Sequence, residues 1–240
     1  MDAAQDGGMP LTERPQRCFL RWDIHQRIQH VMLMTAFIVL MATGLPLRYA
    51  GAPTAQTITQ AVGGAYAASI IHRFAAGLLV LTALYHLIYL GTRVYRKTLS
   101  SSMLPKTKDV RDFFRSIMYN LGLARERPKF GRYSFSEKFE YWGMVWGSIV
   151  MIATGSLLWN PVITSQHLPV IMLKLSRVIH SYEALLAILA IIIWHFYHAH
   201  LRPDVFPMSA VWLTGLMTEQ EMKEHHPLEY EKIIGGGRDE

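Results

Sequence analysis

Apolar residues in this chain are gathered into four long runs, at 28–47, 66–90, 141–159 and 178–197. Each run is near the roughly 20 residues that a helix needs to cross a bilayer core. A small Gly/Ala/Thr loop joins the first two runs, and a short loop with Asn160-Pro161 and Leu168-Pro169 joins the last two. A long polar segment, 93–138, separates the second run from the third. The pattern predicts an all-α integral membrane protein, a four-helix up-and-down bundle with a long loop between spans 2 and 3. It divides the chain into an N-terminal tail (1–27), a bundle (28–200) and a C-terminal tail (201–240). The stretch at 205–217, VFPMSAVWLTGLM, is apolar but too short to cross. It is expected either as an interfacial element along the membrane face or as a loop packed on the bundle. No internal repeat and no low-complexity region is evident.

Composition agrees. Hydrophobic residues make up 51% and charged ones 18%, too apolar a balance for an ordinary soluble fold. A net charge of +6 raises the question of nucleic acid, and the placement of the basic residues answers it. The N-terminal tail carries four Lys or Arg, the 93–138 loop twelve and the C-terminal tail four, against four on the other side (Arg48, Arg73, Lys174 and Arg177). That asymmetry predicts that both termini and the long loop are cytoplasmic, with no nucleic-acid partner. The polar, proline-broken first 27 residues lack an apolar h-region, so no cleavable signal peptide is expected. The single cysteine, Cys18, excludes an internal disulfide, covalent Cys-x-x-Cys-His haem attachment and a cysteine-held iron–sulfur cluster.

The spans contain histidines, which are costly in hydrocarbon and generally mark function. His72 and His86 are fourteen residues apart in the second span, and His180 and His195 fifteen apart in the fourth. At helical rise each pair shares nearly one face, separated by roughly 21–22 Å. In an up-and-down bundle these two spans run in the same direction, so imidazoles face each other at an outer and an inner level. A structural zinc wants four ligands converging at one place. Facing pairs suit bis-histidine haem, where both axial positions are filled and the iron transfers electrons. A proton relay is the rival reading, but only Glu183 is expected inside a span. His30, at the inner end of the first span, also reaches the inner level. Arg73 and Arg177 stand near His72 and His180, as propionate partners or as snorkelling span-end arginines. Gly44, Gly77, Gly143, Gly147 and Gly155 remove bulk where a flat ring presses, or where helices pack. His25, His167, His225 and His226 lie in polar surroundings and read as solvated or structural.

Four segments in order, RIQHVMLMTAFIVLMATGLPL, IIHRFAAG, EKFEYWGMVWGSIVMIATGSLLW and IHSYEA with WHFYHAH, resemble the prokaryotic membrane cytochromes b. These subunits accompany formate dehydrogenases, nickel–iron hydrogenases and thiosulfate reductases, and the likeness runs from about Arg21 to Pro207. The resemblance implies a bacterial or archaeal inner membrane, two b haems and electron passage between a partner subunit and quinone. In the formate-dehydrogenase type it implies outer ligands at the positions of His72 and His180, and inner ligands at those of His30 and His195. The spacing argument pairs His86 with His195 instead, as in the cytochrome b of bc-type quinol oxidoreductases, and the inner pair stays open between them. The surplus of His30, His86, His198 and His200 leaves room for a third haem, or for a protonatable group at a quinone site. His198 and His200 are the candidates for that proton role.

The expectation is therefore a dihaem cytochrome b linking an outer-face redox partner to the quinone pool. Its partners would be a catalytic, iron–sulfur or multihaem cytochrome c subunit, with membrane lipid or a cytoplasmic subunit on the basic loop. The chain is not expected to oxidise a primary substrate alone. The alternatives are a bc-type cytochrome b core, or a transporter or anchor whose histidines relay protons.

Overall fold

A computed structural model describes residues 17–236, and it contains four helices long and apolar enough to span a membrane. In chain order the elements are β1 (Cys18–Leu20), α1 (Ile24–Arg48), α2 (Pro53–Ala61), α3 (Gly64–Tyr95), α4 (Thr107–Asn120), α5 (Phe135–Trp159), α6 (Pro161–His167) and α7 (Val170–Leu189). They continue with α8 (Val211–Thr214), β2 (Leu216–Thr218), α9 (Glu219–His225) and α10 (Pro227–Ile234). The spans are α1, α3, α5 and α7. The last runs on to Leu201 as wider π-helical turns, Ala190–His195 and Tyr197–Leu201.

Helices α1 and α5 begin several residues before their apolar runs, in polar caps. At α1, Asp23 accepts from the Gln26 backbone N–H at 2.9 Å, and Gln26 accepts from the Asp23 N–H at 3.0 Å. Ser134 and Glu137 make the same reciprocal box at α5. Tyr89 donates to Asp23 at 2.7 Å, which ties the start of α1 to the end of α3.

The bundle is two hairpins. Helix α1 packs along α3 and α5 along α7, with far less contact between the two pairs. The α1–α3 seam is a seven-residue repeat of small or polar buried positions: Gln29, Ala36 and Thr43 on α1, and Ala68, Ala75 and Thr82 on α3. Small residues let the backbones approach in a medium where apolar side chains gain nothing by leaving lipid. The large apolar side chains point outward instead, among them Leu87, Ile192 and Ile193. The tripeptide Ala42-Thr43-Gly44 recurs as Ala153-Thr154-Gly155, and each threonine meets a histidine of its own hairpin.

Both ends of the described chain meet the long loop at one face of the bundle. Strands β1 and β2 pair antiparallel, with Phe19 opposite Met217, and a small core forms from Val211, Met217 and Met222 with Phe19, Trp22 and Tyr230. Within the 205–217 stretch, Val211 and Met217 turn into this core and Leu213 stays exposed. Gly215 has φ +78°, and a Cβ there would lie 2.5 Å from the Trp22 carbonyl oxygen, so this position requires glycine. Its own carbonyl accepts from the Arg21 and Trp22 N–H groups at 2.8 and 3.2 Å.

A buried charge network crosses the cap. Arg21 pairs with Glu229, and both are nearly inaccessible. Arg132 donates to Glu229 at 2.8 Å and to the Arg21 carbonyl at 3.1 Å. His226 Nδ1 donates to the Gly131 carbonyl at 2.7 Å, and its Nε2 is 3.3 Å from the Arg21 guanidinium. Removing one partner strands a buried charge, which typically costs about 3–5 kcal/mol. Glu229→Ala is expected to lower cap stability by about that amount, read as faster amide exchange over 18–22 and 216–230.

Burial holds the His226 pKa below its ordinary value of 6.5, and Arg21 pushes the same way, while Glu137, the Gly131 carbonyl and Glu229 oppose. His225 is lowered too, by burial and then by Arg202. A group that resists protonation when folded takes up its proton more readily when unfolded. Cap stability is therefore full above about 6.5 and falls as pH drops below it. The same exchange measurement against pH checks the direction.

Candidate haem site

Two pairs of histidines face each other inside the bundle. Near the α2/α6 end, His72 of α3 and His180 of α7 have ring centroids 6.4 Å apart with planes at 67°. Toward the cap, His30 of α1 and His195 of α7 are also 6.4 Å apart, at 45°. Two imidazoles bound to one metal at the usual ~2.0 Å would have centroids roughly 6.3 Å apart. Both pairs match that spacing.

The hydrogen bonds orient the rings. Thr43 Oγ1 donates to the Val39 carbonyl at 2.7 Å and lies 2.9 Å from His72 Nδ1. With its own proton spent on the carbonyl, the hydroxyl accepts from Nδ1–H, and Nε2 keeps its lone pair. Thr154 repeats the device, donating to the Val150 carbonyl at 2.7 Å and lying 2.9 Å from His180 Nδ1. Neutral imidazole with Nδ1–H bonded and Nε2 bare is the form that ligates a metal. The adjacent glycines make room: a Cβ at Gly44 would lie 3.1 Å from His72 Cε1, and one at Gly155 3.3 Å from His180 Cε1.

The inner pair is held differently. His195 Nδ1 is 2.8 Å from a Glu140 carboxylate oxygen, a carboxylate–histidine pairing that also leaves Nε2 bare. His30 Nδ1 is buried without a hydrogen-bond partner, and the ring packs against Trp22 at 5.3 Å and Trp212 at 5.9 Å. The cap therefore forms the floor of this level.

His86 is engaged at both nitrogens, Nδ1 to Gln29 Oε1 at 2.8 Å and Nε2 to the Tyr141 hydroxyl at 2.9 Å. Its ring lies against Tyr89 and Tyr141. His198 Nδ1 donates back to the Trp194 carbonyl at 2.9 Å, and His200 packs on Phe196. Both stand on the π-helical turns, a geometry frequent at functional sites. Arg73 is exposed with its guanidinium 5.7 Å from the Trp159 ring, and Arg177 is exposed. Among the described residues no group of three or more His, Cys, Asp or Glu could hold a metal ion.

Residue patterns alone missed the partners. Glu140 escaped because the apolar run starts at Tyr141, whereas α5 starts at Phe135, so Glu183 is not the lone span carboxylate. Thr43 and Thr154 were visible only as the repeated Ala-Thr-Gly. Of the other glycines, Gly147 abuts Glu183, where a Cβ would lie 3.0 Å from Oε1, and Gly77 and Gly143 meet nothing within 4 Å.

Four apolar spans with two levels of facing imidazoles define a membrane cytochrome b, an electron-transfer subunit that carries haem b. The chain belongs to the prokaryotic cytochrome b561 family, whose model matches residues 21–209. It is similar to the cytochrome b556(Fdn) subunit of the nitrate-inducible formate dehydrogenase of Escherichia coli K12, 23% identical over 90% of this chain and 92% of that one. It is also similar to the cytochrome b556(fdo) subunit of formate dehydrogenase from the same organism, 24% identical over 89% and 92%. The formate dehydrogenase cytochrome b556 subunit of Haemophilus influenzae is 24% identical over 87% of this chain and 80% of its own length.

The residues present fit haem. Nε2 of His72 and of His180 is prepared by its threonine, Nε2 of His195 by its carboxylate, and the centroid spacings suit two axial imidazoles on one iron. Gly44→Ala is expected to press on the His72 ring and lower haem per polypeptide. Gly77→Ala, with open space around the new methyl, should leave it unchanged; the amplitude of the reduced b-type band reads both.

Proposed function

We propose that this chain binds two b haems and connects a redox partner on the outer face of the inner membrane with the quinone pool. His72 and His180 would hold the outer haem, and His30 and His195 the inner one. The observation that carries the reading is the pair of 6.4 Å ring separations at two depths of one bundle. His86 is left out of the ligand set because Gln29 and Tyr141 occupy its two nitrogens. This reading follows the formate-dehydrogenase arrangement rather than the bc-type one.

A bound haem b supplies a one-electron couple at each level. The protein's part is to orient, bury and tune. Thr43 and Thr154 fix the outer rings, Glu140 orients the His195 ring through Nδ1, and the apolar spans exclude water. His198 and His200 lie within a turn or so of His195, on the side of the termini, where quinone reduction would draw protons from the cytoplasm. An imidazole there can donate a proton through a ring N–H, which suits a role beside a quinone.

The orientation rests on the basic residues of the termini and the long loop, which favour the cytoplasmic side. The relatives are cytochrome subunits of formate dehydrogenases. By analogy the partner here is a catalytic, iron–sulfur or multihaem cytochrome subunit docked on the outer face, where Arg73 and Arg177 are also available to haem propionates.

Haem counting on purified variants tests the ligand set. His72→Ala and His180→Ala are each expected to lose the outer haem, and His30→Ala and His195→Ala the inner one, halving haem per polypeptide. His86→Ala should keep both; loss of one haem there would move the reading to the bc-type arrangement. His198→Ala should keep both haems and slow quinone turnover by roughly the 10²–10⁴-fold typical of a lost acid–base group. Lost haem in that variant would assign His198 to ligation instead.

A further inference from the structure

We propose that α4, in the loop between the second and third spans, is a membrane-surface helix that docks on anionic phospholipid. Its sequence, TKDVRDFFRSIMYN, splits into three arcs at helical period. Asp109, Asp112 and Phe113 form the arc that faces protein. Asp109 takes both oxygens to Lys138 Nζ at 2.9 Å, Asp112 is buried and paired with Lys108 at 2.9 Å, and the Phe113 ring lies 5.7 Å from that of Phe135. A second arc is apolar and exposed: Val110, Phe114 and Ile117, continued by Leu121. The third arc is basic and exposed, with Arg111 and Arg115 one turn apart.

Position decides what covers the apolar arc. Lys138 is in the first turn of α5 and Phe135 is its first residue. The Trp142 indole N–H, one turn further in, donates to the Met103 carbonyl just ahead of α4, at 3.1 Å. These contacts hold α4 beside the point where α5 begins its span, at the depth of headgroups and upper acyl chains. An apolar stripe next to an arginine stripe at that depth is the composition of an interfacial helix. Charge decides which lipid. Both aspartates of the helix are neutralised within the protein, so Lys106, Arg111 and Arg115 present net positive charge to the surface. Each such residue is worth roughly fivefold in partitioning to an anionic surface at low salt. The proposal rests on the membrane spans alone and not on the haem ligand set.

The test uses the full haem-loaded chain with Cys18→Ser, carrying a fluorescent thiol label at Ile117→Cys or, in a second preparation, at Phe114→Cys. A label at Arg125→Cys in the loop beyond is the control. Protein is reconstituted in vesicles of phosphatidylcholine and phosphatidylglycerol in equal parts, with a nitroxide near the headgroup of one lipid or the other. An unchanged b-type spectrum verifies the fold of each preparation. The labels at 117 and 114 are expected to be quenched by lipid nitroxide and shielded from aqueous iodide, with the reverse at 125. Nitroxide on phosphatidylglycerol should quench more than nitroxide on phosphatidylcholine, and Arg111→Gln with Arg115→Gln should abolish that preference. Labels reached by iodide and not by lipid, or reached by neither, would overturn the docking. Equal quenching by the two lipids would overturn the anionic preference.

Discussion

An imidazole at bilayer depth has two nitrogens and no water to satisfy either, and much of this bundle follows from where each nitrogen is sent. For three of the facing histidines, Nδ1 is anchored to a polar group carried by a neighbouring span: Thr43, Thr154 or Glu140. Anchoring one nitrogen turns the other toward the opposing ring. It also selects the tautomer whose bare nitrogen can bind iron. The threonines can do this because each first spends its hydroxyl proton on its own helix, which makes it an acceptor. The glycines that follow them keep the rings close to the α1 and α5 backbones. A glycine, a hydroxyl and an imidazole thus act as one unit, and that unit occurs once in each hairpin.

The inner level departs from this symmetry, and the cap explains how. His30 packs on Trp22, just after β1, and on Trp212 of α8, just before β2. The register of β1 with β2, the glycine at 215 and the Arg21–Glu229 pair therefore set the surroundings of His30 from outside the bundle. Stability of the cap and the environment of the inner imidazoles are linked through these two indoles. The His198 and His200 side chains share this end, on π-helical turns where the helix is widened and its carbonyls are less regularly paired.

Much of this was legible in the residues. Apolar run length located all four spans, and histidine spacing located two levels of imidazole. The ends of the spans were not legible, because hydropathy records the part of a helix inside lipid and not the capped turns outside it. Glu140 was lost for that reason. Spacing along the helices favoured His86 over His30 as the partner of His195, although both sit at the inner depth, because spacing carries no information on helix rotation. Only the rotation of α1 against α3, set by the Gln29–Ala36–Thr43 seam, turns one toward His195 and the other toward Tyr141. The cap was out of reach of pattern reading, because its strands are three residues long and pair across almost the whole chain. The buried ion pair of Arg21 with Glu229 leaves no local signature at all.

The central claim is that two pairs of imidazoles each fill both axial positions of an iron. Low-temperature electron paramagnetic resonance of the oxidised, purified chain, with iron and haem counted on the same sample, tests it most directly. The account predicts two haems per polypeptide, both low-spin and six-coordinate, with distinct signals because the ring planes cross at 67° in one pair and 45° in the other. A high-spin five-coordinate signal, or a single haem per chain, would contradict it.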